Sequence, residues 1–287
     1  MADDLFDFGN RVDRYAVMGN PINHSKSPMI HSMFAQQTGQ AVEYTAIHVD
    51  LGGFTQAVGN FQASGGKGLN ITVPFKEEAW ALVNERSARA ELAGAVNTIK
   101  FDAKKIYGDN TDGVGLVNDL QDNHQCLLNN KRILLMGAGG AARGVIAPLL
   151  DQHPAQLYIA NRTADKAVAL ATHFTRHATG HDQITGGGYN HLEGCQFDVI
   201  INATAASLHG ELPPLPDGLL ADGSVCYDMM YGAKPTLFMD WAHKQGATRI
   251  HDGLGMLVEQ AAESFHLWRG VRPATQPVIQ AIRASLK

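Results

Sequence analysis

A glycine-rich loop in the middle of the chain has the residue types and spacing of a phosphate-binding turn. Gly137-x-Gly139-x-x-Ala142 follows an apolar run at 132–136 and precedes apolar residues at helical spacing. The first glycine permits a tight turn, the second lets the backbone approach a pyrophosphate, and the small third residue keeps helix and strand close. The loop therefore predicts a dinucleotide site rather than an ordinary strand–helix turn. Its expected contacts are Gly137, Ala138, Gly139, Gly140 and Ala141.

The end of the next predicted strand, at 156–160, indicates which dinucleotide binds. A domain that binds NAD usually has an acidic residue there, whereas this chain has Asn161, Arg162 and Thr163, followed by Lys166. A carboxylate would repel a ribose 2′-phosphate, but a guanidinium pairs with it through charge-assisted hydrogen bonds. A solvated surface arginine is the alternative. The position of Arg162 at the strand end favours NADP.

The N-terminal half carries polar residues at spacings that suit a small oxygen-rich ligand. Ser25 and Ser27 lie two residues apart at the start of a predicted helix, where their hydroxyls could hold a carboxylate. The alternative for Ser27 is an N-cap with no ligand. Asn70 and Thr72 alternate on one predicted strand and therefore face the same side. A solvated strand face would show the same pattern.

Lys76 and Asp112 are titratable residues of the same half of the chain, and their types and spacing alone do not single them out for proton transfer. Hydride transfer to a ketone leaves an alkoxide that must take a proton, so a donor is needed beside the carbonyl oxygen. Lysine normally titrates near 10.4, and desolvation in a closed cleft lowers that pKa. By itself, however, Lys76 has the features of an exposed lysine at a helix start, paired with Glu77 or Glu78.

Two sets of alternating strands and helices must position these residues, which indicates an α/β protein with parallel strands. In the first half we predict strands at 14–19, 42–49 and 68–73, helices beginning at Ser27 and Phe75, a hairpin over 96–108, and a loop at 109–113. In the second half we predict strands at 132–136, 156–160, 197–202, 224–229 and 248–251. Helices follow the glycine loop and Arg162, and two more close the chain at 256–268 and 273–285. The three glycines at 186–188 predict a loop between elements that turns or flexes.

Composition restricts the class of protein. A length of 287 residues suggests about two domains. The net charge of -5 argues against a nucleic-acid partner or an anionic membrane surface. Three cysteines without C-x-x-C spacing favour a reducing compartment over disulfides or structural zinc, and no metal site is expected. The N-terminus at 1–10 lacks the pattern of a signal peptide, so a cytoplasmic location is expected.

Several longer motifs resemble those of the shikimate dehydrogenase family, in order along nearly the whole chain. The motifs are GNPINHSKSP at 19–28, NITVPFK at 70–76, GAVNT at 94–98, GDNTDG at 108–113, the glycine loop at 137–144, NRT at 161–163, NAT at 202–204, YDMMY at 227–231 and GLGMLVEQ at 253–260. Two small departures are Ala205, where the family commonly has serine, and Ser32, where asparagine often follows the histidine.

The resemblance implies roles for the residues in these motifs. Ser25, Ser27 and Tyr231 would hold the substrate carboxylate, while Asn70, Thr72, Asn97 and Gln260 would bind ring hydroxyls. Lys76 and Asp112 would be the acid/base pair, in which either residue could carry the moving proton. Further cofactor contacts are expected at Thr204, Met229, Gly253 and Met256. For Met229 and Met256, ordinary core packing is the alternative.

The resemblance also implies an architecture and a reaction. We expect an α/β chain with a substrate domain at 1–112 plus 253–287, a Rossmann-type NADP domain at 113–252, and an active-site cleft between them. The expected reaction is reversible, NADPH-dependent reduction of 3-dehydroshikimate to shikimate by a monomer or homodimer. A quinate/shikimate dehydrogenase of broad specificity is the nearest alternative. A non-catalytic NADP-binding sensor is a remote one, because it would not retain Lys76 and Asp112.

Overall fold

The structure is a computed structural model that describes residues 12–102, 105–177, 183–204, 206 and 211–286. Residues 1–10 and Ala205, which were considered above, lie outside the described residues. Two six-stranded sheets account for the strands, one in each half of the described chain. Of the described helices, none is long and apolar enough to cross a membrane.

The first sheet is mixed, with the strand order β2-β1-β3-β5-β6-β4. Its strands are β1 (Asp13–Gly19), β2 (Val42–His48), β3 (Gly68–Ile71), β4 (Glu85–Arg86), β5 (Thr98–Phe101) and β6 (Ile106–Asp109). β1 is parallel to β2 and β3, whereas β5 runs antiparallel to both β3 and β6. The hairpin predicted over 96–108 is confirmed by β5 and β6, and the antiparallel β5 makes this sheet mixed rather than parallel throughout. A hairpin connection as short as the one between β5 and β6 can only reverse the chain direction.

Helices alternate with these strands, and several of the candidate residues lie at the N-termini of the helices. They are α1 (Ser27–Thr38), α2 (Phe54–Ala63), α3 (Lys76–Leu82) and α4 (Ala88–Ala93), followed by α5 (Asp112–Asn118), which continues into a π-helical turn (Asp119–Asn123). Lys76 and Asp112 are each the first residue of a helix. The loop predicted at 109–113 thus ends in a helix start, which the sequence pattern did not indicate.

The second sheet is parallel throughout, with the order β12-β11-β10-β7-β8-β9. Its elements are β7 (Arg132–Met136), α6 (Gly140–Leu150), β8 (Gln156–Ala160), α7 (Ala164–His177), β9 (Ile184–Gly187), a 3₁₀ turn (Tyr189–Leu192), β10 (Phe197–Asn202), β11 (Leu220–Asp228), α8 (Leu237–Lys244) and β12 (Arg249–Asp252). The strand order reverses between β7 and β10, which is where a doubly wound sheet binds its ligand. The glycine loop follows β7 directly.

The loop that was predicted to turn or flex at 186–188 is wrong for its first two glycines. Gly186 and Gly187 belong to β9, which pairs with β8 at the edge of the sheet. A Cβ on Gly186 would lie 2.3 Å from the carbonyl oxygen of Ala167. The glycine is therefore explained by the close approach of α7 to the strand rather than by flexibility.

The last two helices, α9 (Leu254–Arg269) and α10 (Gln276–Ser285), return to the first half of the chain. One apolar cluster contains Ile30 and Phe34 of α1 together with Val258, Phe265 and Val278 of these closing helices. This packing is what a discontinuous first domain requires. The boundaries at 112/113 and 252/253 stay a prediction.

Candidate active site

A cavity of about 350 Å³ lies between the first sheet and α9. All nine residues predicted to contact the substrate line it, namely Ser25, Ser27, Asn70, Thr72, Lys76, Asn97, Asp112, Tyr231 and Gln260. Three residues predicted to contact the cofactor, Met229, Gly253 and Met256, line it as well. Segments that are up to 235 positions apart in the sequence therefore meet in one space.

Lys76 and Asp112 form the ion pair of this cavity. The Lys76 Nζ atom donates to Asp112 Oδ2 at 2.5 Å, and the two side chains are 29% and 14% exposed. The two residues lie at the starts of α3 and α5 and come together in space although they are 36 positions apart in the sequence. The partner of Lys76 is thus Asp112 rather than Glu77 or Glu78, which are exposed. A cation and a carboxylate at this distance can pass a proton to and from a ligand oxygen beside them.

Asn97 holds the other oxygen of the same carboxylate. Its Nδ2 donates to Asp112 Oδ1 at 2.7 Å, so each oxygen of Asp112 has its own donor. The Oδ1 of Asn97 accepts from the backbone N–H of Thr111 at 2.8 Å and from the Thr98 hydroxyl at 2.9 Å. Because a backbone N–H is only a donor, the orientation of the Asn97 amide is fixed. The carboxylate therefore keeps one orientation toward Lys76.

The carboxylate-binding candidates differ from the prediction in one respect. Ser27 is the first residue of α1, but the N-cap is Lys26 and no side chain caps the helix. The backbone N–H of Ser27 instead bonds to Ser25 Oγ at 3.3 Å, which draws the two serines together. The N-cap alternative for Ser27 is therefore wrong. Burial raises the pKa of Tyr231, with a smaller contribution from Asp252, so its phenol stays protonated and can donate.

The glycine loop is shaped for the close approach of a ligand. Gly137 has φ 106°, and a Cβ there would lie 3.2 Å from the carbonyl oxygen of Ala203. Gly139 is the N-cap of α6, and a Cβ on Gly139 or Gly140 would meet no atom within 4 Å. No acidic residue occupies the first turn of α6 and no side chain caps it, so its N–H groups are free to bind phosphate. These features fit a dinucleotide.

The basic residues predicted to select the cofactor follow β8. Arg162, Thr163 and Lys166 are exposed at the carboxyl edge of the sheet, and Asn161 Nδ2 donates to the Thr163 carbonyl at 2.9 Å. Thr204 follows β10 next to the glycine loop, where its hydroxyl bonds to Asn202 Oδ1 at 2.7 Å. Both segments follow the carboxyl ends of the two strands that neighbour β7, where the strand order reverses.

Sequence reasoning missed the residues that support this machinery. Asp109, at the end of β6, accepts two hydrogen bonds from Arg89 at 2.7 and 2.6 Å, and Arg89 also reaches Glu263 of α9 at 3.1 Å. Tyr44 and Ser264 bond to the amide of Asn70 from two further elements. Apart from the motifs, no local pattern marks these residues, because their partners lie 20 to 194 positions away in sequence.

Family models match the chain in the same order as its motifs. The model described as the shikimate dehydrogenase substrate binding domain matches residues 17–99. The model described as shikimate/quinate 5-dehydrogenase matches residues 119–209, and the shikimate 5′-dehydrogenase C-terminal domain matches residues 253–283. The last match begins at the crossover where the chain returns to the first sheet.

Individual relatives agree with these matches. The shikimate dehydrogenase (NADP(+)) of Alkalilimnicola ehrlichii is 59% identical over 272 residues, which cover 95% of this chain and 99% of the relative. The solved Ael1 enzyme from Pseudomonas putida is 48% identical, with a TM-score of 0.89 and coverage of 96% and 100%. Shikimate 5-dehydrogenase from Thermus thermophilus, solved with NADP(H) and shikimate, is 30% identical, with a TM-score of 0.82 and the same coverage. The chain therefore belongs to the shikimate dehydrogenase family, and the predicted fold class is confirmed.

Proposed function

We propose that this chain catalyses the reversible NADP-dependent oxidation of shikimate to 3-dehydroshikimate, with Lys76 and Asp112 as the acid/base pair. The observation that carries the proposal is the 2.5 Å contact between these two residues in a cavity that Met229, Gly253 and Met256 also line. The proton-transfer pair thus faces the side on which the cofactor is expected. Curated relatives named shikimate dehydrogenase (NADP(+)) support the same reaction.

In the direction of oxidation, the substrate hydroxyl loses a proton and its carbon loses a hydride. NADP⁺ held at the glycine loop would supply the chemistry that takes up this hydride. The Lys76–Asp112 pair takes the proton, and Asn97 holds Asp112 in the orientation that keeps Lys76 beside the reacting oxygen. In the reverse direction the pair returns the proton to the developing alkoxide. One pair of residues therefore serves both directions.

The remaining residues of the cavity supply orientation. Ser25, Ser27 and Tyr231 would hold the carboxylate, because all three carry hydroxyl groups and line the cavity, and the two serines lie together at the start of α1. Asn70, Thr72, Asn97 and Gln260 would bind the ring hydroxyls. Fixing both ends of the ring brings the reacting carbon to one position, and such positioning can remove several kcal/mol from a barrier, with an upper range of about 7–11 kcal/mol.

Cofactor choice would depend on the surface after β8. The free N–H groups of α6 would hold the pyrophosphate, with the backbone of the loop from Gly137 to Ala141 against it. Arg162 and Lys166 would pair with the ribose 2′-phosphate, with Asn161, Thr163 and Thr204 at the rim. The expected selectivity for NADP over NAD follows from these charges.

The proposal extends to partners and location. The substrate is a small molecule, and a net charge of -5 gives no support for nucleic-acid binding. All three cysteines are free thiols, which supports the cytoplasm as the expected location. We infer a monomer or homodimer, and light scattering of the purified chain across a concentration series measures its mass.

A steady-state assay tests the reaction. Formation of reduced cofactor is measured with shikimate and NADP⁺, then with quinate replacing shikimate, and then with NAD⁺ replacing NADP⁺. We expect the first combination to give the highest kcat/KM. Comparable turnover of quinate would favour the broad-specificity alternative, and equal use of NAD⁺ would contradict the role given to Arg162. An inactive chain that binds NADP⁺ would favour the sensor alternative.

A further inference from the structure

We propose that Tyr44, on the outer strand β2, is a positioning residue: together with the Asn97 carbonyl it holds the Asn70 amide so that Asn70 presents only a hydrogen-bond acceptor to the substrate cavity. Tyr44 does not line the cavity, and none of the motifs includes it. The inference rests on the proposed function, because it assigns the polarity with which one ring hydroxyl of the substrate is recognised.

Tyr44 reaches Asn70 across an intervening strand. β1 lies between β2 and β3, with Tyr44 opposite Tyr15 and Asn70 opposite Val17. These two positions on β1 are two residues apart, so Tyr44 and Asn70 project from the same face of the sheet. The Tyr44 hydroxyl donates to Asn70 Oδ1 at 2.7 Å. The side chains of Tyr44 and Asn70 thus connect the edge strand of the sheet to the lining of the cavity.

The other atoms of the Asn70 amide are already occupied. Nδ2 has two protons and lies within hydrogen-bond distance of three acceptors, the Asn97 carbonyl at 3.3 Å, Thr98 Oγ1 at 3.1 Å and Ser264 Oγ at 3.0 Å. The Asn97 carbonyl can only accept, so the nitrogen must face it and the oxygen must face Tyr44. Asn70 is 6% exposed. What remains for a ligand is the second lone pair of Oδ1, which can accept a hydrogen bond from a hydroxyl but cannot donate one.

The surroundings keep Tyr44 in place and in its donor form. Its ring stacks on the fully buried His31 with centroids 4.1 Å apart and an interplanar angle of 7°. Burial raises the pKa of Tyr44 well above its usual value, and a hydrogen bond with Ser27 lowers it by a smaller amount. Burial lowers the pKa of His31 to about 3, against a smaller contribution from Asn70. Both rings are therefore neutral near pH 7, and the phenol keeps the proton that it donates.

The test begins with Tyr44→Phe, which keeps the ring on His31 and removes only the hydroxyl. With shikimate and NADP⁺ we expect kcat/KM to fall about five- to tenfold, the range for one lost hydrogen bond. The loss should appear in KM for shikimate, while kcat and KM for NADP⁺ stay within about twofold. Tyr15→Phe is the matched control on the neighbouring strand. Its hydroxyl bonds to Arg269 at 3.4 Å rather than to Asn70, so its kinetics should match the wild type.

Two further measurements separate positioning from a general structural effect. In an Asn70→Ala background, adding Tyr44→Phe should change kcat/KM by less than about twofold, because the effect passes through Asn70. With 4-deoxy- and 5-deoxyshikimate, the wild type should lose activity with the analogue that lacks the hydroxyl facing Asn70, and Tyr44→Phe should reduce that penalty. The analogue comparison holds even if the Asn70→Ala variant fails to fold.

The outcomes are distinguishable. An inactive wild type would overturn the proposed function and this inference with it. If the wild type is active, either of two results would overturn this inference alone. One is wild-type kinetics for Tyr44→Phe, and the other is an equal fall in kcat/KM on adding Tyr44→Phe with and without the Asn70 side chain. An equal deoxy penalty in wild type and Tyr44→Phe would overturn it as well.

Discussion

The substrate cavity and the dinucleotide surface of this chain are built on different principles. In the cavity, buried side chains bond to one another before any ligand arrives, as Asn97 does with Asp112 and Thr111. At the dinucleotide surface, the groups expected to bind are exposed backbone at Gly139 and Gly140 and an exposed cation at Arg162. One surface has fixed directional partners, and the other has accessible backbone and charge.

This difference predicts different sensitivities to substitution. A buried network loses several bonds when one member changes, because each remaining polar group must find another partner or stay unpaired. An exposed backbone surface tolerates changes of side chain as long as the approach of the ligand and the sign of the charge are kept. Three substitutions test this contrast through activity, beginning with the most damaging, and a fourth experiment tests it through stability.

Lys76→Met should have the largest effect. Loss of the proton-transfer group is expected to lower kcat by about a thousandfold, within the range of 10²–10⁴ for general acid–base catalysis. KM for shikimate should change by less than about tenfold, because Asn97 still holds Asp112. Steady-state kinetics with both substrates measure this. Lys67→Met, an exposed lysine of the same half of the chain, is the control. Near-normal kcat for Lys76→Met would contradict the role of the pair.

Arg162→Gln should change cofactor preference without harming the substrate cavity. Losing one charge-assisted contact to the 2′-phosphate should lower kcat/KM for NADP⁺ by roughly 10- to 100-fold, from about 1.5–3 kcal/mol. kcat/KM for NAD⁺ should stay within about twofold. Arg176→Gln, an exposed arginine on α7, is the control. An equal fall in kcat/KM with NADP⁺ and with NAD⁺ would show that Arg162 does not bind the 2′-phosphate.

Gly139→Ala tests whether the backbone itself is the binding surface. The added methyl group would meet no protein atom within 4 Å, so thermal stability should be unchanged. The same methyl lies where the pyrophosphate is expected to approach, and KM for NADP⁺ should rise about tenfold or more, since tenfold corresponds to about 1.4 kcal/mol. The control is Gly59→Ala in α2, which also meets open space. Equal KM values for the two variants would contradict the role of Gly139.

The last prediction concerns stability at low pH rather than activity and involves one histidine in each half of the chain. Burial lowers the pKa of His31 to about 3, and burial followed by the charge of His124 lowers that of His251 to about 4. Below the unfolded pKa near 6.5, the unfolded chain binds protons that the folded chain does not. The free energy of unfolding should therefore fall as pH falls from about 6.5 to 4, with a slope of up to about 1.4 kcal/mol per pH unit for each histidine.

Urea unfolding of the variants at pH 7, 6 and 5 measures these slopes. His31→Phe and His251→Phe should each flatten the pH dependence, while His48→Asn, at an exposed position, should leave it unchanged. An unaltered slope for His31→Phe would mean that its imidazole is not kept neutral in the folded state.

The sequence predicted well those parts of the site that consecutive residues form. The glycine loop connects β7 to the first turn of α6. The residues that form this turn and the helix N-terminus are therefore consecutive in the sequence. β7, β8 and β10 match their predicted bounds, because buried parallel strands are short apolar runs between turn residues. The pairing of Lys76 with Asp112 was different, because it depended on recognising the family motifs.

Other features were not predictable from local pattern. Ser27 has the sequence features of an N-cap, but the backbone of Lys26 takes that position in the folded chain. The glycines at 186–188 resemble a loop, but α7 lies so close to Gly186 that no side chain would fit. At Gly186 a tertiary contact overrode a local preference, whereas at Ser27 a bond to the neighbouring Ser25 accompanies the shifted helix start.

Residue types at short spacings were enough to predict the fold class, the dinucleotide loop and the family, because each of these depends on local pattern. Tertiary structure alone decided which donor faces each acceptor in the cavity. Asn70 meets Tyr44 from 26 positions away and Ser264 from 194. A hydrogen bond depends on distance and direction to within a few tenths of an ångström, and only the packing of β2, β3 and α9 against one another sets these to that accuracy.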